Sequence, residues 1–538
     1  MTMKRAKSHF RMFTLVLVLV LGLAACAPAE EDPVADPDAP EEPEEPEAPE
    51  EPEAPDPDAV GGTLNIAVPN DPGAWDSARL QTILFPFHRQ LYDGLADYVD
   101  GLNPEPRLAA DWEISDANDS VTITLREGVL FHSGREMTAE DIAANLEAFM
   151  DPERGHQAHG PTVGAVEDWE VTGEYEIVVS FLRPIAELQI TDLLTGWQIH
   201  DPEFSDVLDR EAHGTGPFRF VEWVPEERVV LEANSDYWGE GPYLDELHYR
   251  IFDDRDAMIS AFEAGDVDYV YDPDFESAER LQADGFTLVE APPGAIIDQI
   301  RINPERPPFD NANVRLAINY ATNREALNAA ITAGLGTPLT LPYSPESPAY
   351  DSELAADLEY DLDRARELLE TSGVPEDEWT AEWLADGSSP ATVLSGQILQ
   401  DALSQIGFEL VMDLRDSAER TEMLLSGQFD FLWGGIGNAQ KYPTRITTNS
   451  IYRASDNPVF EVETTFPDYV AAVDAANAAV TEEEQAEAIA ELNRVLTEEL
   501  WVVTAFARPM ISIAHPDVTG AYKDIDAQER LHLARLDR

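Results

Sequence analysis

The sequence predicts a two-part α/β body held on a charged tether behind an export signal. Three observations predict it. Strand-type and helix-type hydrophobic periods alternate along most of 61–538, which implies sheets with crossover connections. The chain has 538 residues, 43% of them hydrophobic, enough for two or three domains with cores of their own. Residues 27–60 have a composition from which no core can be built.

The elements follow in order. Residues 63–68, TLNIAV, read as the opening strand after Gly61-Gly62, and 121–125, VTITL, alternate as a half-buried strand. Thr138 opens an amphipathic stretch to Met150, where it can accept from the first-turn amides, and Asp141 sits where a carboxylate favours a helix N-terminus. Residues 218–223 and 228–233 read as a hairpin around Pro225. Asp253 or Asp254 caps a helix that Gly265 ends, and 267–270 follow as a strand. In the second half, strands are expected at 296–302, 408–414, 429–433 and 501–506. Helices are expected at 311–320, 323–333, 361–372, 391–406, 416–426, 467–478 and 481–499, with Asn323 as a cap and Gly334 as a stop. No repeat of solenoid length is present.

Residues 1–25 read as an address. Lys4, Arg5, Lys7 and Arg11 precede an apolar run over 12–25 that is too short to span a bilayer. The run ends in Leu23-Ala24-Ala25-Cys26, which resembles the bacterial lipobox. Cys26 is the chain's one cysteine, so the chain has no internal disulfide and no cysteine metal site. It is the expected lipidation point and the expected sole attachment to a membrane. Residues 27–60 hold 10 Glu, 5 Asp, 10 Pro, 7 Ala and 2 Val. Like charges and proline make this an extended spacer.

The net charge is −72, and the lysines are Lys4, Lys7, Lys441 and Lys523 alone. Such a field repels phosphate backbones and excludes nucleic-acid binding. The nucleophile elbow, the two-histidine zinc helix, the EF-hand and the P-loop are all missing. Gly214-Thr-Gly216 and Gly435-Ile-Gly437 each lack the third glycine of a dinucleotide loop. His156 and His159 sit in a polar Gly/Pro-flanked loop and read as surface histidines. No cofactor and no metal is expected.

Several blocks, in order, then carry a resemblance: LYDGLADY (91–98), LREGVLFHSGREMTAEDIAANLEAF (125–149), GTGPFRFVEW (214–223), NSDYWGEGPYLDELHYRIFDD (234–254), AFEAGDVDYV (261–270) and PPFDNANVRLAINYATNREAL (307–327). The body is similar to the extracytoplasmic solute-binding proteins of ABC importers, in the peptide/nickel branch that includes dipeptide- and oligopeptide-binding proteins. The resemblance implies a two-lobed periplasmic-binding-protein-like α/β fold. Lobe I is expected over 61–292 plus 507–538, with a subdomain at about 96–212, and lobe II over 293–506. The crossings are expected near 291–294 and 504–508. It also implies hinge closure on a small solute or peptide, delivery to permease and ATPase subunits, a monomer, an exported location and no catalysis.

The family's charge anchors for a free peptide are not matched. Trp433 is followed by Gly-Gly-Ile-Gly-Asn-Ala-Gln with no acid, and 383–390 offer Asp386 and no arginine. Unpaired peptide termini in a closed cleft would lack partners, so tight binding of free dipeptides is not expected. The candidate ligand shell is Gln81 and Thr82 from lobe I, with Arg301, Asn303, Tyr343, Trp433, Gly434, Asn438 and Tyr442 from lobe II. Trp433 and Arg301 have equally sound structural readings, as core packing and as an ion-pair partner. A metal-chelate receptor of the same family, a secreted hydrolase and a lipid-anchored sensory or scaffold protein are the competing readings.

Overall fold

The computed structural model describes residues 61–77, 82–99, 102–151, 164–437, 441–455 and 457–538. The signal, Cys26, the tether, His156 and His159 lie outside them.

Two large sheets dominate. The first has seven strands in the order Thr287–Glu290, Ile511–Ala514, Tyr269–Tyr271, Thr63–Val68, Glu246–Ile251, Arg228–Ala233, Phe218–Val224. Thr63–Val68 pairs in parallel with both its neighbours, and the outer pairs are antiparallel. The second has six, in the order Thr337–Pro338, Val502–Ala507, Ile296–Ile302, Phe431–Gly437, Thr380–Asp386, Glu409–Arg415. A four-stranded antiparallel sheet, Ala109–Ile114, Ser120–Leu125, Glu176–Phe181 and Val166–Gly173, forms a third layer. It has its own core of Val121, Ile123, Ile142, Leu146, Ile177, Val179 and Trp197.

The helix starts follow from short polar caps that satisfy the free first-turn amides. Asp254 accepts from Ala257 N at 2.9 Å, and Asn323 from Ala326 N at 2.9 Å. Thr138 and Asp141 form a reciprocal capping box on Ala139–Met150. The hairpin turn places Glu226 at φ 62°. Asp71 holds that strained residue by accepting from its amide and from Trp223 Nε1.

The chain passes between the large sheets twice. Thr287–Glu290 belongs to the first sheet and Ile296–Ile302 to the second, with Pro292-Pro293-Gly294 between them and Gly294 at φ 118°. Val502–Ala507 stays in the second sheet to its last residue, and Ile511–Ala514 lies in the first. The return passage therefore falls at 508–510, just past the expected 504–508. Arg508 sits at this passage and pairs with buried Asp298 of the other connecting strand, Nε to Oδ2 at 2.8 Å.

Two strands are shifted from their expected positions. The strand expected over 429–433 runs Phe431–Gly437. Asp430 turns aside to accept from Glu382 N and to pair with Arg306, while the glycines continue in register with Ile296–Ile302. The strand expected over 267–270 runs Tyr269–Tyr271, because Asp268 is occupied by the amide and side chain of Asn65. Among the described residues no helix is long and apolar enough to cross a membrane.

Candidate functional site

A buried ionic cluster joins the two parts. The loop after the strand Phe431–Gly437 carries Lys441 and Arg445 towards the four-stranded layer and the C-terminal turns. Lys441 Nζ lies 3.0 Å from Asp192 Oδ1 and 2.9 Å from Asp526 Oδ1, and 5.2 Å from the centre of the Tyr98 ring. Arg445 stands 3.8 Å from Asp192, and Tyr98 donates to Asp192 Oδ1 at 2.7 Å. Behind them Arg89 reaches Asp524 at 3.5 Å and Asp526 at 3.8 Å, while Arg530 bonds Asp524 and Asp97. All eight charged groups are buried.

Asp192 and Lys441 hold each other ionised. Burial pushes the Asp192 carboxyl up, but Lys441, Arg445 and the Tyr98 hydroxyl outweigh it and leave it below the usual range. Burial pushes Lys441 down, and Asp192 and Asp526 carry it above its ordinary value. Such a cluster tolerates no missing member, since the remaining charges would be buried without a counter-ion. A second contact between the parts runs on the outside, where Arg183 donates to the Asn477 carbonyl of the helix Pro467–Ala478.

A second polar region lies on the six-stranded sheet. Phe431 and Leu432 pair with Trp383 and Leu384 in parallel, and the pairing stops there. The edge of Trp433–Gly437 is thus left open where Thr380–Asp386 ends, at the carboxyl ends of two parallel strands, a common place for ligands in open α/β sheets. Arg301 lies across Gly434: a Cβ there would come within 2.6 Å of its Nε. Its Nη2 donates to Gly435 O at 2.8 Å, and its Nε is buried without a partner. Burial, opposed by Tyr452 and assisted by the Arg420 charge, lowers Arg301 to about 10.

The remaining candidates divide. Trp433 is buried in the lobe core, 5.7 Å from the Phe506 ring, with Nε1 unpartnered. Tyr343 is fully buried and its hydroxyl has no partner among the described residues. Both ends of the Asn303 amide are engaged, Nδ2 by Gly427 O and Oδ1 by Glu305 N, so it holds the turn after its strand. Tyr442 is buried beside Lys441, with Arg445 5.8 Å from its ring centre. Thr82 begins a short helical turn, Thr82–Leu84; Gln81 and Asn438 lie outside the described residues. The fold thus brings Arg301, Trp433 and Gly434 together on paired strands. Sequence reasoning missed Lys441, Arg445, Asp192, Asp526 and Arg89. One signal was available: a buried-partner lysine is conspicuous in a chain of net charge −72 with four lysines.

Residues 103–457 match the family model described as bacterial extracellular solute-binding proteins, family 5 middle. The chain belongs to that family. It is 29% identical over 373 residues to the glutathione-binding protein GsiB of Pectobacterium atrosepticum, covering 67% of this chain and 69% of that one. It is 28% identical over 324 residues to heme-binding protein A of Haemophilus influenzae, covering 55% of this chain and 59% of that relative's length. Among solved structures, the periplasmic binding protein DppA of Helicobacter pylori in complex with the peptide STSA superposes with a TM-score of 0.72 at 21% identity, over 89% of this chain and 99% of that one. The fold is accordingly that of the two-lobed periplasmic binding proteins. The family consists of binding proteins, which removes the hydrolase reading.

Proposed function

We propose that the protein is the solute receptor of an ABC import system, which captures its ligand outside the cytoplasm by closure of two lobes and presents the closed form to a permease with its ATPase. Lobe I comprises 61–292 plus 508–538 with the subdomain at about 96–212, and lobe II 293–507, since Ala507 is still paired in the second sheet. The observation that carries this reading is the pair of chain passages between the large sheets, combined with the charge cluster that Lys441 and Arg445 make with Asp192 and Asp526. Two bodies linked by two short segments rotate about them, and a ligand or contact bridging both selects the closed state. Peptides are the default solute class; glutathione and heme, for which two relatives are named, are the next to test.

The test is a thermal-shift screen of peptides, glutathione and heme, followed by calorimetry. A ligand at 100 times its Kd adds about 2.7 kcal/mol to stability, and loss of that solute's uptake in a deletion strain completes the assignment. Binding without uptake dependence would favour the sensory or scaffold reading. Attachment through Cys26 is part of the proposal. Cys26→Ser is expected to move the protein from the membrane to the soluble fraction, because a lipidated cysteine is the only anchor the sequence offers.

A further inference from the structure

We propose that Arg301 and Arg420, set on either side of the open Trp433–Gly435 edge, form the receptor for a carboxylate carried by the solute. The inference rests on the solute-receptor reading and adds the charge of the ligand to it.

Arg301 comes from the strand Ile296–Ile302 and Arg420 from the helix Ser417–Leu425. Each donates one Nη2 hydrogen to a carbonyl of the same strand, Arg301 to Gly435 O and Arg420 to Trp433 O. Each also keeps a buried Nε with no partner among the described residues. Neither has a carboxylate within 4.0 Å among the described residues; Asp386 is the acid whose charge bears on Arg420. In a chain with 106 acidic residues against 34 basic ones, two neighbouring guanidinium groups with no carboxylate at ion-pair distance among the described residues are a departure that structural pairing does not explain. Burying an unpaired guanidinium is costly, and a planar carboxylate that accepts from its fork removes the cost.

The surroundings fit an incoming group. Gly434 is half-buried and Gly435 exposed, so the strand between the two arginines presents backbone and no side chain. Gly434 also makes the arrangement possible, since any Cβ there would displace the Arg301 fork. The strand edge is unpaired beyond Leu432. The resemblance places an arginine for the ligand's carboxyl group in 383–390, where this chain has Asp386; Arg301 and Arg420 stand around the end of that same strand and supply the missing charge from two other elements.

The test is calorimetry of the full mature chain with matched acid and amide forms of alanine peptides two to five residues long, free succinate and glutarate, and inorganic phosphate. At least one carboxylic acid is expected to bind, with its amide at least tenfold weaker, and Arg301→Gln is expected to abolish that difference. Arg301→Gln should keep or raise the melting temperature of the unliganded protein, since it removes an unpaired buried charge. Gly434→Ala, which moves the fork without removing it, should weaken the acid and leave the amide unchanged. Equal binding of acid and amide, or a neutral solute as the only ligand, overturns the carboxylate receptor and leaves the solute-receptor reading standing. Phosphate binding stronger than any carboxylate overturns the assignment to a carboxylate. An Arg301→Gln variant that retains the acid–amide difference, or a wild type that binds none of the acids, overturns it as well.

Discussion

Two aromatic side chains buried in the same core, Trp433 and Tyr343, carry opposite expectations. Trp433 fills space beside Phe506, 5.7 Å away, so Trp433→Ala leaves a cavity in the lobe core. The expected loss is about 3–5 kcal/mol by urea denaturation, whether or not the indole also covers a ligand. Tyr343 is buried with a hydroxyl that bonds nothing among the described residues, and burial pushes that hydroxyl's pKa far up. Tyr343→Phe removes a polar atom that folding desolvates without return. Stability should hold or rise by about 1 kcal/mol; a fall of more than that would mean the hydroxyl has a partner in solution.

On the proposed two-lobe reading, the loop that follows Phe431–Gly437 is expected to act as a latch. Lys441→Met removes the ammonium between Asp192 and Asp526 and leaves both carboxylates buried beside Arg89 and Arg445. Removing one member of such a cluster costs about 3–5 kcal/mol in the state that buries it. The lobes are free to separate and rehydrate those carboxylates, so the variant should populate an open form. Small-angle scattering without ligand should give a larger radius of gyration than wild type, and an unchanged profile would show that the latch does not set the lobe angle. Neither Lys441 nor its partners were legible as a site, because Asp192, Lys441 and Asp526 lie far apart in the chain and leave no local spacing to read. What was legible was whatever the chain writes locally: Thr138, Asp254 and Asn323 mark the first turns of their helices, and the amphipathic alternation of 121–125 marks its strand. Val166–Gly173 buries only its first residue well and exposes most of the rest, so it shows no two-residue period, and the layer it belongs to could be placed only by family resemblance. Arg301 and Trp433 were proposed from their places after the hinge and at the end of an apolar strand; that Arg301 has no carboxylate at ion-pair distance among the described residues is a fact of packing that no sequence pattern states.

For the whole molecule, the balance of buried charge sets how it responds to acid. Burial, with the charge of Arg89, lowers His88 to about 3, and neither ring nitrogen has a partner. Burial, with Arg530, lowers His532 to about 3. Burial also lowers His132 to about 4, against the raising effect of its bond to the Gly216 carbonyl. In the unfolded chain each histidine takes up a proton near pH 6.5. Below that value the unfolded state binds more protons than the folded one, so stability falls as pH falls. Each histidine contributes fully above about 6.5 and loses about 1.4 kcal/mol per unit down to its folded pKa. Between pH 7 and pH 5 that is about 2 kcal/mol apiece and about 6 kcal/mol for the three. The carboxylates held low, Asp97 by Arg530, Arg89 and Arg107 against burial and Asp192 by Lys441 and Arg445 against burial, keep their contribution until the pH drops below the ordinary aspartate value, so they do not act in this window. Relief of repulsion among the exposed acids works in the opposite direction, which is why a single-site comparison isolates the histidine effect. His88→Leu keeps an apolar side chain in an apolar site and removes one titrating group. The variant's loss of stability from pH 7 to pH 5, read from urea midpoints, should be smaller than that of wild type by about 2 kcal/mol. Identical losses would mean that His88 takes up its proton inside the fold.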